Sequence, residues 1–547
     1  MVAQNAVKSK KSHLSKKVNP SLTHRSAASS KTANAQQVTV QRNPPSKTVV
    51  YSFFAIVLLT IGSTIGIGIY YKTDELMSLN GGNLFFVYGA WIIGIIGISA
   101  LALSLGLLNK HNAFPNLGIL GWIRSINGQR LYTGFKWFLL WILVPFFNFA
   151  YAYYCIQAGE LAVKSFVGND FQMPEYLTII IAFVIIVYFS ITCSSPKLAE
   201  TQNKITSYLR FVPLLFCIIG GIIIGSVFFD ADAWKTNIQG YENNINPDQA
   251  IQTSLVYLAP VFGLMASMPA LIFSFDGFYF PSVTFKYMKK PERGPFAVVI
   301  GVMIVALVYV LVFTGILVGA NGGGSYQNIN LPDNCRWIIG VVACFIIFGM
   351  LGVTNSNVLF GCELFRSSYP YILNLNLNKR SNMSLFNVGL NFVYFTVLTV
   401  IGIWYFYPDG GSWQGDGIDA TRVLNGKLYN LSNLITNWVG TFVFMFLAIA
   451  IGGLLFNPKI KKTNLNWVFA IIAVTFMTIV ILFQLVDNFF GLYKIATTGI
   501  DPTAPNKYNT AEIKTHALVS QVIKTILFFV FLAISFAPLL LKRKHVA

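Results

Sequence analysis

Thr60-Ile-Gly62-Ser-Thr64-Ile-Gly66-Ile-Gly68-Ile-Tyr70 puts three glycines within seven residues, near the middle of a hydrophobic stretch that starts at Val49. Each glycine weakens a helix interior by about 1 kcal/mol relative to alanine, so a helix drawn through this stretch is one poised to break. Taken alone, the triplet also suits close packing against a neighbour, because Gly62 and Gly66 form a small-xxx-small pair. A second stretch shifts the balance. Phe273-Ser-Phe-Asp276-Gly277-Phe278 lies in another apolar block, which also carries Pro260, Gly263, Pro269 and Pro281. Each proline removes a donor from the helical ladder. Gly66 and Gly277 lie 211 residues apart, the offset expected if spans one to five and six to ten are inverted repeats.

Both stretches belong to a series of apolar blocks about 20 residues long, the length a helix needs to cross about 30 Å of hydrocarbon. Of the 547 residues, 55% are hydrophobic and 11% are charged, against roughly 25% charged in a soluble domain. Lipid offers no partner for backbone N–H and C=O groups, so such blocks are helical. The predicted spans are 49–71, 84–108, 133–163, 176–193, 205–229, 252–280, 296–320, 336–364, 384–407, 431–456, 465–490 and 516–541. The expected fold is an all-α membrane protein of about twelve transmembrane helices, with helices 1 and 6 discontinuous. Its organisation divides into a disordered basic tail (1–48), a first repeat (49–229), a second repeat (252–456), and two further helices with a short tail (465–547).

The formal charge of +19 would suggest nucleic acid on a soluble surface, but its distribution points elsewhere. Residues 1–48 carry nine basic residues, no acid and no apolar run, so that segment cannot bury enough surface to fold. It suits anionic lipid headgroups better than DNA. Most of the remaining basic residues, such as Lys289, Lys290, Arg293, Lys379 and Arg380, fall in alternating connectors, and most of the acids, such as Asp74, Glu75, Asp230 and Asp232, fall in the others. By the positive-inside rule both termini are cytoplasmic, on a multi-pass protein of the cell membrane. The connectors 408–430 and Asn321-Gly-Gly-Gly-Ser325 are expected to be flexible external loops.

Paired breaks carry a chemistry. The N-terminal end of a half-helix presents free N–H groups and a positive dipole end to a carboxylate. The carbonyls freed at the opposing break accept from an ammonium group or a cation. A solute with both charges, an α-amino acid, fits the pair.

In these residues the chain resembles the amino acid–polyamine–organocation superfamily of permeases. Ile65-Gly66-Ile67-Gly68-Ile69-Tyr70 is similar to that family's first-helix signature, Ile-Gly-x-Gly-Ile-aromatic. Phe273 to Phe278, followed by Lys289-Lys-Pro-Glu-Arg293, is similar to its sixth-helix break and the basic loop after it. The resemblance covers roughly residues 49–460 and implies a five-plus-five inverted-repeat fold with two added helices. It implies that Ser63, Thr64, Ile65, Gly66, Ile67 and Gly68 take the substrate carboxylate. Phe273, Ser274, Phe275, Asp276 and Gly277 would take the amine. Two positions depart from the pattern: Ile67 stands where the family commonly has Ser or Thr, and Lys286-Tyr287 where it usually has a Glu pair.

Four residues at membrane depth are candidates for coupling or cation binding: Asp276, Arg210, Thr354 and Ser356. An intramembrane carboxylate is costly and usually faces a cavity or a partner, which leaves Asp276 as a substrate contact, a proton or sodium site, or half of a structural pair. Arg210 cannot deprotonate, so it is able to replace a bound ion but not to relay a proton; snorkelling to the headgroups is the plain alternative. Thr354-Asn-Ser-Asn357 is a polar run in hydrocarbon, suited to a cation site or to interhelical hydrogen bonds. Tyr151, Tyr154 and Asn148 are placed to line the path, and Glu363 and Arg366 to pair along one helix.

The sequence has no phosphate-binding Gly-x4-Gly-Lys-Ser/Thr loop, and its five histidines (His13, His24, His111, His516, His545) lie in tails, loops or span ends. Direct drive by ATP, a metal centre, a cofactor and enzymatic catalysis are therefore not expected. The expected function is secondary active transport of amino acids by alternating access, as symport with H+ or Na+ or as exchange. A polyamine or cationic-amine permease, and a membrane sensor that does not transport, are the alternatives.

Overall fold

A computed structural model describes residues 51–405, apart from positions 67, 112–113, 115–116, 118, 169–170, 172, 245–254 and 260, and then 420–457, 464–498 and 511–540. The basic tail (1–48), Ile67 and Pro260 therefore lie outside the described residues. In chain order the helices are α1 (Phe53–Thr64), α2 (Gly68–Leu79), α3 (Leu84–Lys110), α4 (Ile119–Trp137), α5 (Val144–Val167) and α6 (Glu175–Thr192). Then come α7 (Pro196–Leu209), α8 (Phe211–Leu215), α9 (Gly221–Val227), α10 (Ala231–Asn244), α11 (Val261–Ala266) and α12 (Met268–Ser274). The last six are α13 (Gly294–Gly319), α14 (Trp337–Ser368), α15 (Arg380–Tyr405), α16 (Ala420–Phe456), α17 (Asn464–Thr498) and α18 (Ala511–Leu540). A two-residue hairpin, β1 (Tyr371–Ile372) with β2 (Leu375–Asn376), joins α14 to α15.

Among the described residues, nine helices are long and apolar enough to cross a membrane, and the pair α1 and α2, bent by 52°, makes a tenth. Two shorter apolar helices, Tyr176–Thr192 and Val261–Ser274, stand where the fourth and sixth spans are expected. The set matches the twelve predicted spans one for one, as an all-α membrane protein. The third is longer than expected: it runs from Ile119 to Val167, through a π-helical turn at Phe138–Leu143. Pro145 follows two residues later, and the wider turn accommodates a residue that has no N–H to give. Likewise α16 begins at Ala420, so the end of the expected 408–430 connector is helical.

Residue chemistry sets the boundaries that matter for the site. Ser52 caps α1 by accepting from the Ala55 N–H at 3.1 Å, and α1 ends because Ile65 turns extended (φ −68°, ψ 101°). Asn83 caps α3 through the Phe85 and Phe86 amides. Pro269 falls in the first turn of α12, where its missing donor costs nothing. Side by side, α1 packs on α13, α2 on α12, α12 on α16, and α5 on α14. The α9–α13 crossing is close: a Cβ on Gly319 would lie 2.9 Å from the Gly221 Cα, the close backbone approach that small residues allow in membranes.

The glycine run after α13 is packed rather than loose. Asn321 is buried, and its side chain accepts from the Asp230 N–H at 3.3 Å. Gly322 sits under Trp234 of α10, and the Gly324 N–H donates to the Tyr241 hydroxyl at 2.9 Å. Tyr241 in turn donates to Asp74 of α2. Burial first and the Asp74 carboxylate second push the Tyr241 phenol above its ordinary range, so it stays a donor. This corrects the expectation of a flexible connection: α10, α2 and the loop form one hydrogen-bonded unit.

Candidate functional site

The two breaks meet face to face. A Cβ on Gly68, the first residue of α2, would lie 2.9 Å from the Ser274 Cβ at the end of α12, and a Cβ on Gly277 would press on the Ser63 carbonyl near the end of α1. Gly277 also has φ +89°, a conformation that costs most L-residues roughly 1–2 kcal/mol. Each interruption is thus seated on the other's half-helix. At the far ends of the pair, the Asn80 side-chain amide donates to the Ser267 hydroxyl at 2.8 Å, so α2 and α12 are tied at both ends.

Between the breaks lies a small cavity of about 20 Å³, lined by Ser63, Thr64, Gly66, Gly68, Tyr151, Phe273, Ser274, Asp276, Gly277, Phe280 and Val353. That is room for about one water molecule, so the breaks are closed on each other here and an amino acid enters only when they part. Eight of the eleven substrate-contact residues named from sequence are in this lining. Ile65 instead faces a neighbouring void shared with Arg210 and Met350. Phe275 turns into a ring cluster with Trp91 and Tyr309. Asp276 is 7% exposed; its Oδ1 is buried and meets no donor at hydrogen-bond geometry, with the Tyr279 side chain and the Gly277 N–H beside the carboxylate.

Tyr309 of α13 joins the two breaks. Its hydroxyl lies 2.9 Å from the Thr64 carbonyl and 2.9 Å from the Ser274 carbonyl. One proton serves two acceptors, so the bond holds the ends of α1 and α12 together without fixing either. Tyr309→Phe leaves both carbonyls buried and unmet, and is expected to cost about 1–3 kcal/mol and to slow uptake while substrate-stabilised folding persists. Thermal unfolding with and without substrate, alongside uptake rates, checks this.

Arg210 does not snorkel. It is 3% exposed, and its Nη1 donates to the Gly62 carbonyl and, at 3.1 Å, to the Ile65 carbonyl. These are the freed carbonyls at the negative dipole end of α1. Gly349 and Gly352 of α14 make the room: a Cβ on Gly352 would come within 2.6 Å of Nη2, and one on Gly349 within 3.3 Å of the Arg210 Cβ. Thr354 and Ser356 point elsewhere. Thr354 donates to the Met350 carbonyl in its own helix, and Ser356 lies 3.1 Å from Asn203 Oδ1 of α7. Asn357 and Asn148 bond each other at 2.9 Å, and Asn148 reaches Asn391 at 3.0 Å. Ser356 and Asn357 thus tie α14 to α7 and α5. Of the three path residues, Tyr151 alone lines the cavity.

Sequence reasoning missed a polar cluster between α2 and α16, beside Phe273 of the cavity lining. Lys72, with its side chain 1% exposed, pairs with Glu75 at 2.8 Å and donates to the Asn433 side chain. Its ammonium also lies 5.5 Å from the centre of the Phe273 ring. Glu75 accepts from Asn437 at 2.9 Å and Asn433 at 3.3 Å, and Tyr154 donates to Asn433 at 3.0 Å. Lys72→Met strands Glu75 and is expected to destabilise more than Lys72→Met with Glu75→Gln. The two unfolding midpoints, compared directly, test that order. Glu363 and Arg366 do pair as expected, at 3.0 Å.

Comparison with known proteins places this architecture. The chain is 27% identical over 539 residues to an uncharacterized protein of Mycoplasma pneumoniae, covering 90% of this chain and 94% of that one. A second protein of that organism, also uncharacterized, is 28% identical over 201 residues, which is 34% of this chain and 74% of that one. Among solved structures, MhsT in complex with L-phenylalanine aligns with 80% of this chain and 99% of its own at 12% identity and a TM-score of 0.46. The amino acid permease family matches residues 51–500. Its match takes in both broken helices, the cavity between them and every helix through α17, and the chain belongs to that family: it is a membrane transporter, not an enzyme.

Proposed function

We propose that this permease carries amino acids across the cell membrane by alternating access, with the substrate held between the breaks at 63–68 and 273–277. The observation behind this reading is the reciprocal seating of Gly68 on Ser274 and of Gly277 on Ser63 around a cavity. The start of α2 has no acidic residue in its first turn, so its free N–H groups are available to a carboxylate. The substrate ammonium goes to the Phe273–Gly277 break, where the Asp276 carboxylate lines the cavity, since the carbonyls of Gly62, Thr64 and Ile65 are already taken by Arg210 and Tyr309.

The two halves, 49–229 and 252–456, act as inverted repeats that rock about this site, with 465–547 added outside them. Both termini face the cytoplasm, on the strength of the loop charges, and the basic tail lies against anionic headgroups. Arg210 supplies a permanent positive charge where a coupling cation would otherwise sit, so sodium is not required there. Coupling then rests on protons or on exchange. Replacing Na+ by choline in proteoliposomes is expected to leave uptake unchanged. Strict sodium dependence would overturn the assignment of Arg210.

A further inference from the structure

The carboxylate that lines the cavity has no direct counter-charge. Arg210 is held by the Gly62 and Ile65 carbonyls, and Lys72 is spent on Glu75 and Asn433. Asp276 lines the cavity, its Oδ1 is buried and meets no donor at hydrogen-bond geometry, and no cation pairs with it among the described residues. A zwitterion adds no net charge, and a buried carboxylate left without a counter-charge is expensive. Three aromatic side chains, Tyr151, Phe273 and Phe280, share the lining with it. A carboxylate among ring faces is the chemistry that binds an ammonium or guanidinium group.

Resting on the transport reading above, we propose that the substrate is an amino acid with a cationic side chain, whose second positive charge is neutralised by Asp276. The carboxylate of such a molecule takes the start of α2, and its side chain lies among Tyr151, Phe273 and Phe280 with its charge on Asp276. Phe273 has a reason to be the ring beneath this charge. It packs against Gly440 of α16, where a Cβ would stand 3.5 Å from its own, and against Phe147 and Tyr151 of α5, so it is held rather than free to swing.

The test is competition against labelled L-lysine on the purified full-length transporter, using L-arginine, L-norleucine, L-glutamate and putrescine. Norleucine keeps the aliphatic chain of lysine and lacks only its ammonium group. A charge-assisted hydrogen bond contributes about 1.5–3 kcal/mol, so lysine and arginine are expected to outcompete norleucine by about 10- to 100-fold. Putrescine, without a carboxylate, should be weak. In Asp276→Asn the lysine-to-norleucine ratio should fall towards about one, and size-exclusion and unfolding profiles establish that the variant is folded. The wild-type ratio is decisive even if the variant does not fold. Norleucine binding as well as lysine overturns the charge assignment and leaves amino-acid transport standing, as does uptake of neutral amino acids with one proton each. Preference for putrescine overturns the carboxylate half of the proposal. Failure to bind any amino acid overturns the transport reading as well.

Discussion

Arg210→Met is expected to abolish uptake, while Arg210→Lys retains a measurable fraction of it. The guanidinium closes the carbonyl end of α1, and methionine fills similar volume without a donor. Two backbone carbonyls would then be buried without a partner, a loss of about 1–3 kcal/mol each. The negative end of α1 would also lose its counter-charge. Lysine restores a positive point charge but not the planar fork that reaches two acceptors. Uptake assays paired with thermal unfolding separate the outcomes. If Arg210→Met transports at the wild-type rate, the residue is a structural bystander and the break does not depend on it.

Gly68→Val is expected to have an effect as large by a different route. Its Cβ would collide with Ser274, forcing α2 away from α12, where overpacking costs about 1–3 kcal/mol. Substrate binding should disappear, since the start of α2 and the Phe273–Gly277 break would no longer face one cavity. Gly277→Ala should be nearly as harmful, because it adds backbone strain at φ +89° to pressure on the Ser63 carbonyl. Gly389→Ala serves as the control. No atom lies within 4 Å of a Cβ there, and alanine favours a helix by about 1 kcal/mol. Substrate-induced shifts in melting temperature across the three variants are the measurement. Equal losses in all three would mean that general helix flexibility, not the meeting of the breaks, is what matters.

The breaks were legible because glycine and proline act locally: Gly66, Gly68, Gly277 and Pro269 restrict or release the backbone at their own positions. Span order was legible for the same kind of reason, since apolar length is a local property. Contacts made across the fold were not. Lys72 reads as the polar edge of a span, and the acids beside it as loop residues, until Asn433 arrives from 361 residues further on. Tyr309 is one of 25 tyrosines, and only the geometry shows that it bridges Thr64 and Ser274. Arg210 was suspected from its depth, but its partners are carbonyls, which every residue has and no sequence pattern marks. Ser356 shows the reverse case. Polarity in hydrocarbon demands a partner, and Asn203 of α7 supplies one.

The central claim is that the cavity between the two breaks binds an amino acid and releases it on the other side of the membrane. Counterflow in proteoliposomes tests this most directly: vesicles loaded with unlabelled L-lysine are diluted into trace labelled L-lysine, with a parallel set carrying Gly68→Val. The account predicts a transient, saturable accumulation of label in the wild-type vesicles and none in the variant. Label entry that is linear in concentration, or accumulation that Gly68→Val leaves intact, would contradict it.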